Sequence, residues 1–193
     1  AVNALLGKPP KDSSNEVHVL RSAEWAGGRP LLPASAMFSG FYLNELLRKL
    51  LARQDPHEAL FDAYAWTVGQ LVDGDAEAAL RAFELVLLRE IGLLPDLSLV
   101  TQTQQPLPPA QRHALKPESG LVPAPPGEPA LAGEAWRALQ QALDDADLAA
   151  LQRACLGSLA ELKPMLRGLL HYHLAAPMLR TRQLMMDLQN LER

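Results

Sequence analysis

Between residues 34 and 91 the apolar side chains return every three or four positions, in three successive stretches, and this recurrence constrains the fold most. In the first, Phe38, Phe41, Tyr42, Leu46, Leu47, Leu50 and Leu51 make a wide stripe on a helix beginning at Ala34. In the second, Leu60, Phe61, Tyr64 and Val68 line one face. In the third, residues 77–91, Leu80, Phe83, Leu87 and Ile91 line one side, Val86 and Leu88 widen it, and Gly92 supplies the stop. Helices this short gain most of their stability by burying such faces against one another. Short connections predict an antiparallel helical core.

The first connection reads Asp55-Pro56-His57-Glu58. A histidine between two carboxylates could begin a metal or acid–base site, but helix punctuation explains it better. Asp55 suits an N-cap, Pro56 the first helical position, and Glu58 stands three residues after the cap, with His57 in the solvated first turn. His171 and His173 flank Tyr172, and a two-residue step on a helix turns them about 200° apart, so they do not share a metal. Asp144, Asp145 and Asp147 suit capping and dipole roles at a helix start. No Gly-rich phosphate loop, Gly-x-Ser-x-Gly elbow or His-Glu-x-x-His pair occurs. The expectation is a protein without catalytic residues and without cofactors.

Around this core the chain is less regular. The first sixteen residues read as an irregular lead-in, and residues 16–25, "EVHVLRSAEW", as a short strand. Gly27, Gly28, Pro30 and Pro33 then break regular structure. Eight prolines fall between Pro106 and Pro129, so residues 95–132 or so read as an irregular proline-rich insertion. Helices resume at 133–143, at 145–159 and from about Pro164 to Leu174. Pro177 interrupts before a last helix within "MLRTRQLMMDLQNL".

Charge and cysteine content narrow the function classes. The net charge of −4 is uneven. Residues 1–55 carry seven Lys/Arg against five Asp/Glu, residues 161–193 five against three, and the middle six against fourteen. Mildly basic ends flanking an acidic middle permit a local anion-binding surface. Cys155 is the single cysteine, which excludes an internal disulfide or a Cys-based zinc cage. No run of about 18 apolar residues and no signal-peptide pattern occur, so the expected compartment is cytoplasmic and reducing, with no membrane contact.

Arg81 lies beside the apolar stripe of the third helix, between Leu80 and Phe83. It could simply pair with Glu77 four residues earlier. It could also rim a hydrophobic groove suited to an acidic peptide with an aromatic end. Arg180 and Arg182, with Lys163 and Arg167, could meet phosphates or form a solvated face.

Several of these segments together resemble the bacterial RecO family of DNA repair proteins. They are "VHVLRSAEW", "LPASAMFSGFYLNELLRKLLARQDPHEALFDAY", "ALRAFELVLLREIGLLPDL" and "HLAAPMLRTRQLMMDL", in the family's order and spacing. The likeness covers roughly residues 16–104 and 160–190. It implies a mainly α protein: a remnant of an N-terminal OB-type β-barrel in residues 1–28, then a helical domain in 29–193 with the insertion at about 95–132. It further implies a recombination mediator without turnover, bacterial and nucleoid-associated. Such proteins bind single- and double-stranded DNA, anneal strands and, with RecR, help load RecA onto strands covered by single-stranded DNA-binding protein (SSB).

The helical domain of some members receives the acidic, Phe-ended tail of SSB. Arg81, Leu80 and Phe83 are then the candidate tail contacts, and Arg21, Arg180 and Arg182 the candidate DNA contacts. The alternative is a helical protein-binding adaptor without nucleic-acid contact. Two departures from the family stand out. Val100 and Thr103 occupy the places of a first Cys-x-x-Cys, so no zinc cage is expected. Most of a barrel should precede Val17, where only sixteen residues stand, so the barrel is expected to be incomplete in this chain.

Overall fold

The computed structural model describes residues 2–7, 19–25, 32–53, 55–73, 76–174 and 179–191. The chain divides into two compact units, Ala1–Leu31 and Leu32–Arg193. In the first, strand β1 (Val2–Leu6) pairs antiparallel with β2 (Leu20–Trp25), from Val2 opposite Trp25 to Leu6 opposite Leu20, with an irregularity at Leu5/Leu6. The expected irregular lead-in is therefore corrected. Val2–Leu6 is a strand, too short for its alternation to stand out without the partner that supplies its hydrogen bonds. Of the expected strand 16–25, residues 16–18 lie outside the described residues, and β2 forms the rest from Leu20. Gly27, Gly28 and Pro30 likewise lie outside them.

The second unit is mainly helical. Helices α1 (Ala34–Leu50), α2 (Glu58–Asp73) and α3 (Ala76–Glu90) form where the three stripes predict them. Two details differ. Phe41 and Phe61, assigned to the buried stripes, are 49% and 70% exposed, while Leu43, Leu46 and Leu60 carry the burial. A stripe wider than the contact it feeds leaves one edge in water. The expected capping box is also absent: α2 starts at Glu58, and the His57 carbonyl accepts its first bond from Phe61 N. Asp55 instead lies 3.3 Å from His57 Nε2, and Glu90 at the end of α3 lies 3.7 Å from His57 Nδ1. His57 is thus not solvated; its side chain is 16% exposed between two carboxylates.

Helix α3 is the hub, packing against α1, α2 and the later helices α5 (Leu148–Leu156) and α6 (Leu159–Leu174). Nine of its residues are buried, including Arg81 and Glu84. A helix apolar nearly all round belongs inside a protein, and its leucines contribute about 1.5–3 kcal/mol each through burial. Asp147 caps α5 by accepting from Ala150 N at 2.9 Å. Helix α6 begins at Leu159 rather than near Pro164, which lies inside it. The last helix, α7 (Arg180–Leu191), packs on α1; Pro177 before it lies outside the described residues.

The insertion is not irregular throughout. It holds a three-stranded antiparallel sheet in the order β4–β3–β5, from β3 (Arg112–Lys116), β4 (Gly120–Pro123) and β5 (Leu131–Ala132). Prolines sit at its ends and turns, where no ladder N–H is required. Helix α4 (Gly133–Asp144) follows directly. Two polar bonds seat the sheet on the helices: Trp136 Nε1 donates to the His113 carbonyl at 3.0 Å, and Leu115 N donates to Met165 Sδ at 3.3 Å. At its start, Thr101 Oγ1 accepts from Leu121 N at 2.8 Å, and Thr101 N donates to the Leu121 carbonyl. Among the described residues no cluster of three His, Cys, Asp or Glu is arranged to hold a metal ion. Val100 N donates to the Gln105 carbonyl and Thr103 is exposed.

Candidate functional site: a cationic, apolar groove

A cavity of about 600 Å³ opens between α1, α3, α6 and α7. Phe38 and Tyr42 of α1, Leu80 of α3, Leu170 of α6 and Leu179, just before α7, supply apolar surface. Arg81, Lys163, Arg167 and His171 supply cationic or potentially cationic groups. The last three lie at i, i+4 and i+8 of α6, so one helix face presents them in a row. A groove of this size with an apolar lining and a few convergent polar groups has the character of a binding site.

The floor carries an unusual buried network. Glu84 is fully buried, and its Oε1 accepts from Arg81 Nη2 at 2.5 Å and from the Tyr42 hydroxyl at 2.5 Å. Glu84 Oε2 and Arg81 Nε have no hydrogen-bond partner. Burial pushes the Glu84 carboxyl up, against the opposing pull of Arg81 and the Tyr42 hydrogen bond. Burial, and then the Glu84 charge, push the Tyr42 hydroxyl well above its usual range. Burial first and the same carboxylate second push the buried Cys155 thiol up to about 12, so it is an unreactive core residue.

Arg81 therefore does not pair with Glu77, as helix spacing suggested; its salt bridge is to Glu84, three residues on. Glu77 pairs with Lys163 across the groove's edge, and that hydrogen bond holds the Glu77 carboxyl below its ordinary value, with burial acting the other way. Leu80 lines the groove, whereas Phe83 is wholly buried and meets Tyr64 edge-on at 6.3 Å, which makes it core.

The candidate DNA contacts fall in separate parts of the chain. Arg21 is exposed on β2 in the first unit, and Arg180 is exposed at the start of α7; the Arg182 side chain lies outside the described residues. The groove's far wall depends on a residue that sequence reasoning missed. Glu45 of α1 accepts from Arg180 N and Thr181 N, both at 2.9 Å, and from Thr181 Oγ1 at 2.7 Å. It supplies from another helix the cap that Leu179 cannot. Burial raises the Glu45 carboxyl, but the bonds from Thr181, Arg180 and Lys49 outweigh it and lower it to about 2.

Comparison with known proteins gives consistent findings. The family model "Recombination protein O C terminal" matches residues 34–183. A DNA repair protein RecO of Verminephrobacter eiseniae is 55% identical over 185 residues, spanning 93% of this chain and 73% of that protein. Proteins of the same name are similar at 53% identity over 194 residues in Acidovorax ebreus, spanning 93% of this chain and 74% of theirs, and at 52% over 181 residues in Polaromonas, spanning 91% and 73%.

Proposed function

The chain belongs to the RecO family, and from that premise we propose that it serves DNA repair as a non-enzymatic mediator whose helical domain docks an acidic peptide with an apolar end. The SSB tail is the partner of that chemistry. On this reading the protein binds single- and double-stranded DNA, anneals strands and acts with RecR in loading RecA onto SSB-covered strands. Its place of action is the bacterial cytoplasm, at the nucleoid. Among the described residues no helix is long and apolar enough to cross a membrane.

The observation that carries the reading is the groove, where Arg81 and the row Lys163, Arg167 and His171 border apolar surface from Phe38, Tyr42 and Leu80. Side chains four residues apart on a helix are separated by about 6 Å along its axis. Alternate residues of an extended peptide lie about 6.6 Å apart. A strand-like ligand with carboxylates at every second position therefore keeps step with the row while its apolar end enters the groove.

Calorimetry with an acidic, Phe-ended synthetic peptide tests this. Arg81→Glu should weaken binding by about 1–3 kcal/mol through lost charge-assisted hydrogen bonds. Unchanged affinity in a folded variant refutes the assignment. Titration of labelled single-stranded oligonucleotide tests the DNA role: affinity should fall steeply with salt as phosphate contacts release counterions. A protein-binding adaptor, the reading favoured by the net −8 of residues 56–160, predicts no binding even at low salt.

A further inference from the structure

The buried network beneath the groove is a poor device for stability. Glu84 is fully enclosed, yet one of its oxygens has no partner, and Arg81 Nε has none either. Removing a carboxylate and a guanidinium from water is costly, and an incompletely bonded pair recovers this poorly compared with packed apolar side chains. Each unsatisfied buried polar atom adds to the cost. A structural account leaves these costs unexplained, whereas the position of Arg81 explains them. Arg81 lines the groove while its Nη2 is bound to Glu84, and Tyr42, which also lines the groove, is bound to the same oxygen.

We propose that Glu84, braced by Tyr42, is a positioning residue that holds the Arg81 guanidinium at the groove surface in the orientation that receives a ligand carboxylate. The proposal rests on the peptide-docking reading given above and adds the residues that pre-organise its central cation. An arginine side chain has much rotamer entropy to lose, so fixing it before the ligand arrives lowers the cost of binding. The Glu84 carboxylate sets the guanidinium plane, and the Tyr42 hydroxyl fixes the carboxylate in turn. Nε stays buried, and the Nη1 donors of Arg81 are then left for an incoming anion.

The proposal opposes simple electrostatics, which makes it decisive to test. A Glu84 carboxylate beneath an anion-binding groove repels an acidic ligand, so through-space electrostatics alone predicts that Glu84→Gln tightens binding of an acidic peptide. Positioning predicts the reverse. The probes are a fluorescein-labelled peptide with alternating aspartates and a C-terminal Phe, and the same peptide with asparagines and a C-terminal amide. Wild-type binding of the acidic probe tests the docking reading itself. Given that binding, Glu84→Gln should weaken the acidic probe at least about fivefold and leave the neutral probe within about twofold. Equal losses for both probes, or a tighter acidic complex, overturn positioning.

A second measurement does not depend on the peptide. The rate at which phenylglyoxal modifies Arg81, followed by mass spectrometry of proteolytic fragments, should rise several-fold in Glu84→Gln as the guanidinium is released. An unchanged rate overturns the proposal even where the docking reading fails. Tyr42→Phe, which removes only the hydroxyl, should show both effects to a smaller degree and serves as the working variant where Glu84→Gln does not fold.

Discussion

Replacing Glu45 should detach α7 and with it one wall of the groove. The carboxylate accepts three hydrogen bonds from Arg180 and Thr181, and Lys49 Nζ lies 3.4 Å away. Its side chain is 7% exposed. Holding the carboxyl at about 2 instead of the ordinary 4.5 corresponds to roughly 3 kcal/mol of preference for the folded arrangement. Water reaching the end of α7 and the partly exposed Lys49 reduce this to about 1–2 kcal/mol. Glu45→Gln, which retains one acceptor, should cost about that much. Glu45→Ala should cost about 2–4 kcal/mol, because buried donors are left unbonded.

The loss should be local. Hydrogen exchange at pH 7 should accelerate for amides 180–191 while amides of α3 keep their protection. The pH dependence has a definite sign. A carboxyl lowered by folding contributes fully above its unfolded value near 4.5, and the contribution drains away as pH falls toward 2. Wild-type α7 should therefore loosen between about pH 4.5 and 2, and the Glu45→Gln variant should show no such step. Equal protection of residues 180–191 in wild type and Glu45→Ala at pH 7 would refute the reasoning.

Two further perturbations bear on the groove and the small sheet. Glu77 occupies Lys163 in the free protein, so Glu77→Gln should tighten binding of the acidic peptide about two- to fivefold, the range of an exposed ion pair; calorimetry showing weaker binding would mean that Glu77 orients Lys163 instead. Gly120 has φ +66, and a Cβ there would fall 2.2 Å from Thr101 Oγ1, the acceptor for Leu121 N. Gly120→Ala should therefore lower stability by about 1–3 kcal/mol in urea unfolding with an unchanged m-value, and a loss under about 0.5 kcal/mol would show that Thr101 moves aside freely.

The helical core was legible because its signal is periodic and local. Leu46, Leu60, Leu87 and Leu88 are buried where three- and four-residue spacing places apolar residues on one face. The strands were harder. Val2–Leu6 becomes a strand only beside Leu20–Trp25, and β5 is two residues long, set by pairing with β3. Eight prolines between 106 and 129 signalled irregularity, yet β3 avoids them all and β4 ends on Pro123. Exposed edges such as Phe41 and Phe61 were misread because periodicity fixes a direction around a helix, not how far the neighbouring helix extends across that face.

The site divides along the same physical line. Arg81 and Leu80 were recognisable as a cation beside an apolar stripe, but the partner of Arg81 was misassigned because two acids lie within one turn of it. Spacing alone does not choose between Glu77 at i−4 and Glu84 at i+3. Burial does. Residues 78–88 hold leucine, alanine and phenylalanine on every side, so a helix through them is central, and any charge within it must find its counter-charge inside. Glu84 satisfies that condition, whereas Glu77, in the first turn, reaches Lys163 at the rim. The same logic marks Glu45, an acid flanked by Leu43, Leu46 and Leu47, as a group with a distant polar partner. Which partner it meets, 135 residues away at Arg180, depends on how α7 returns to α1. Helical period carries no information about that return, so an acid embedded in a leucine-rich helix reveals that a long-range contact exists but leaves its other end to the fold.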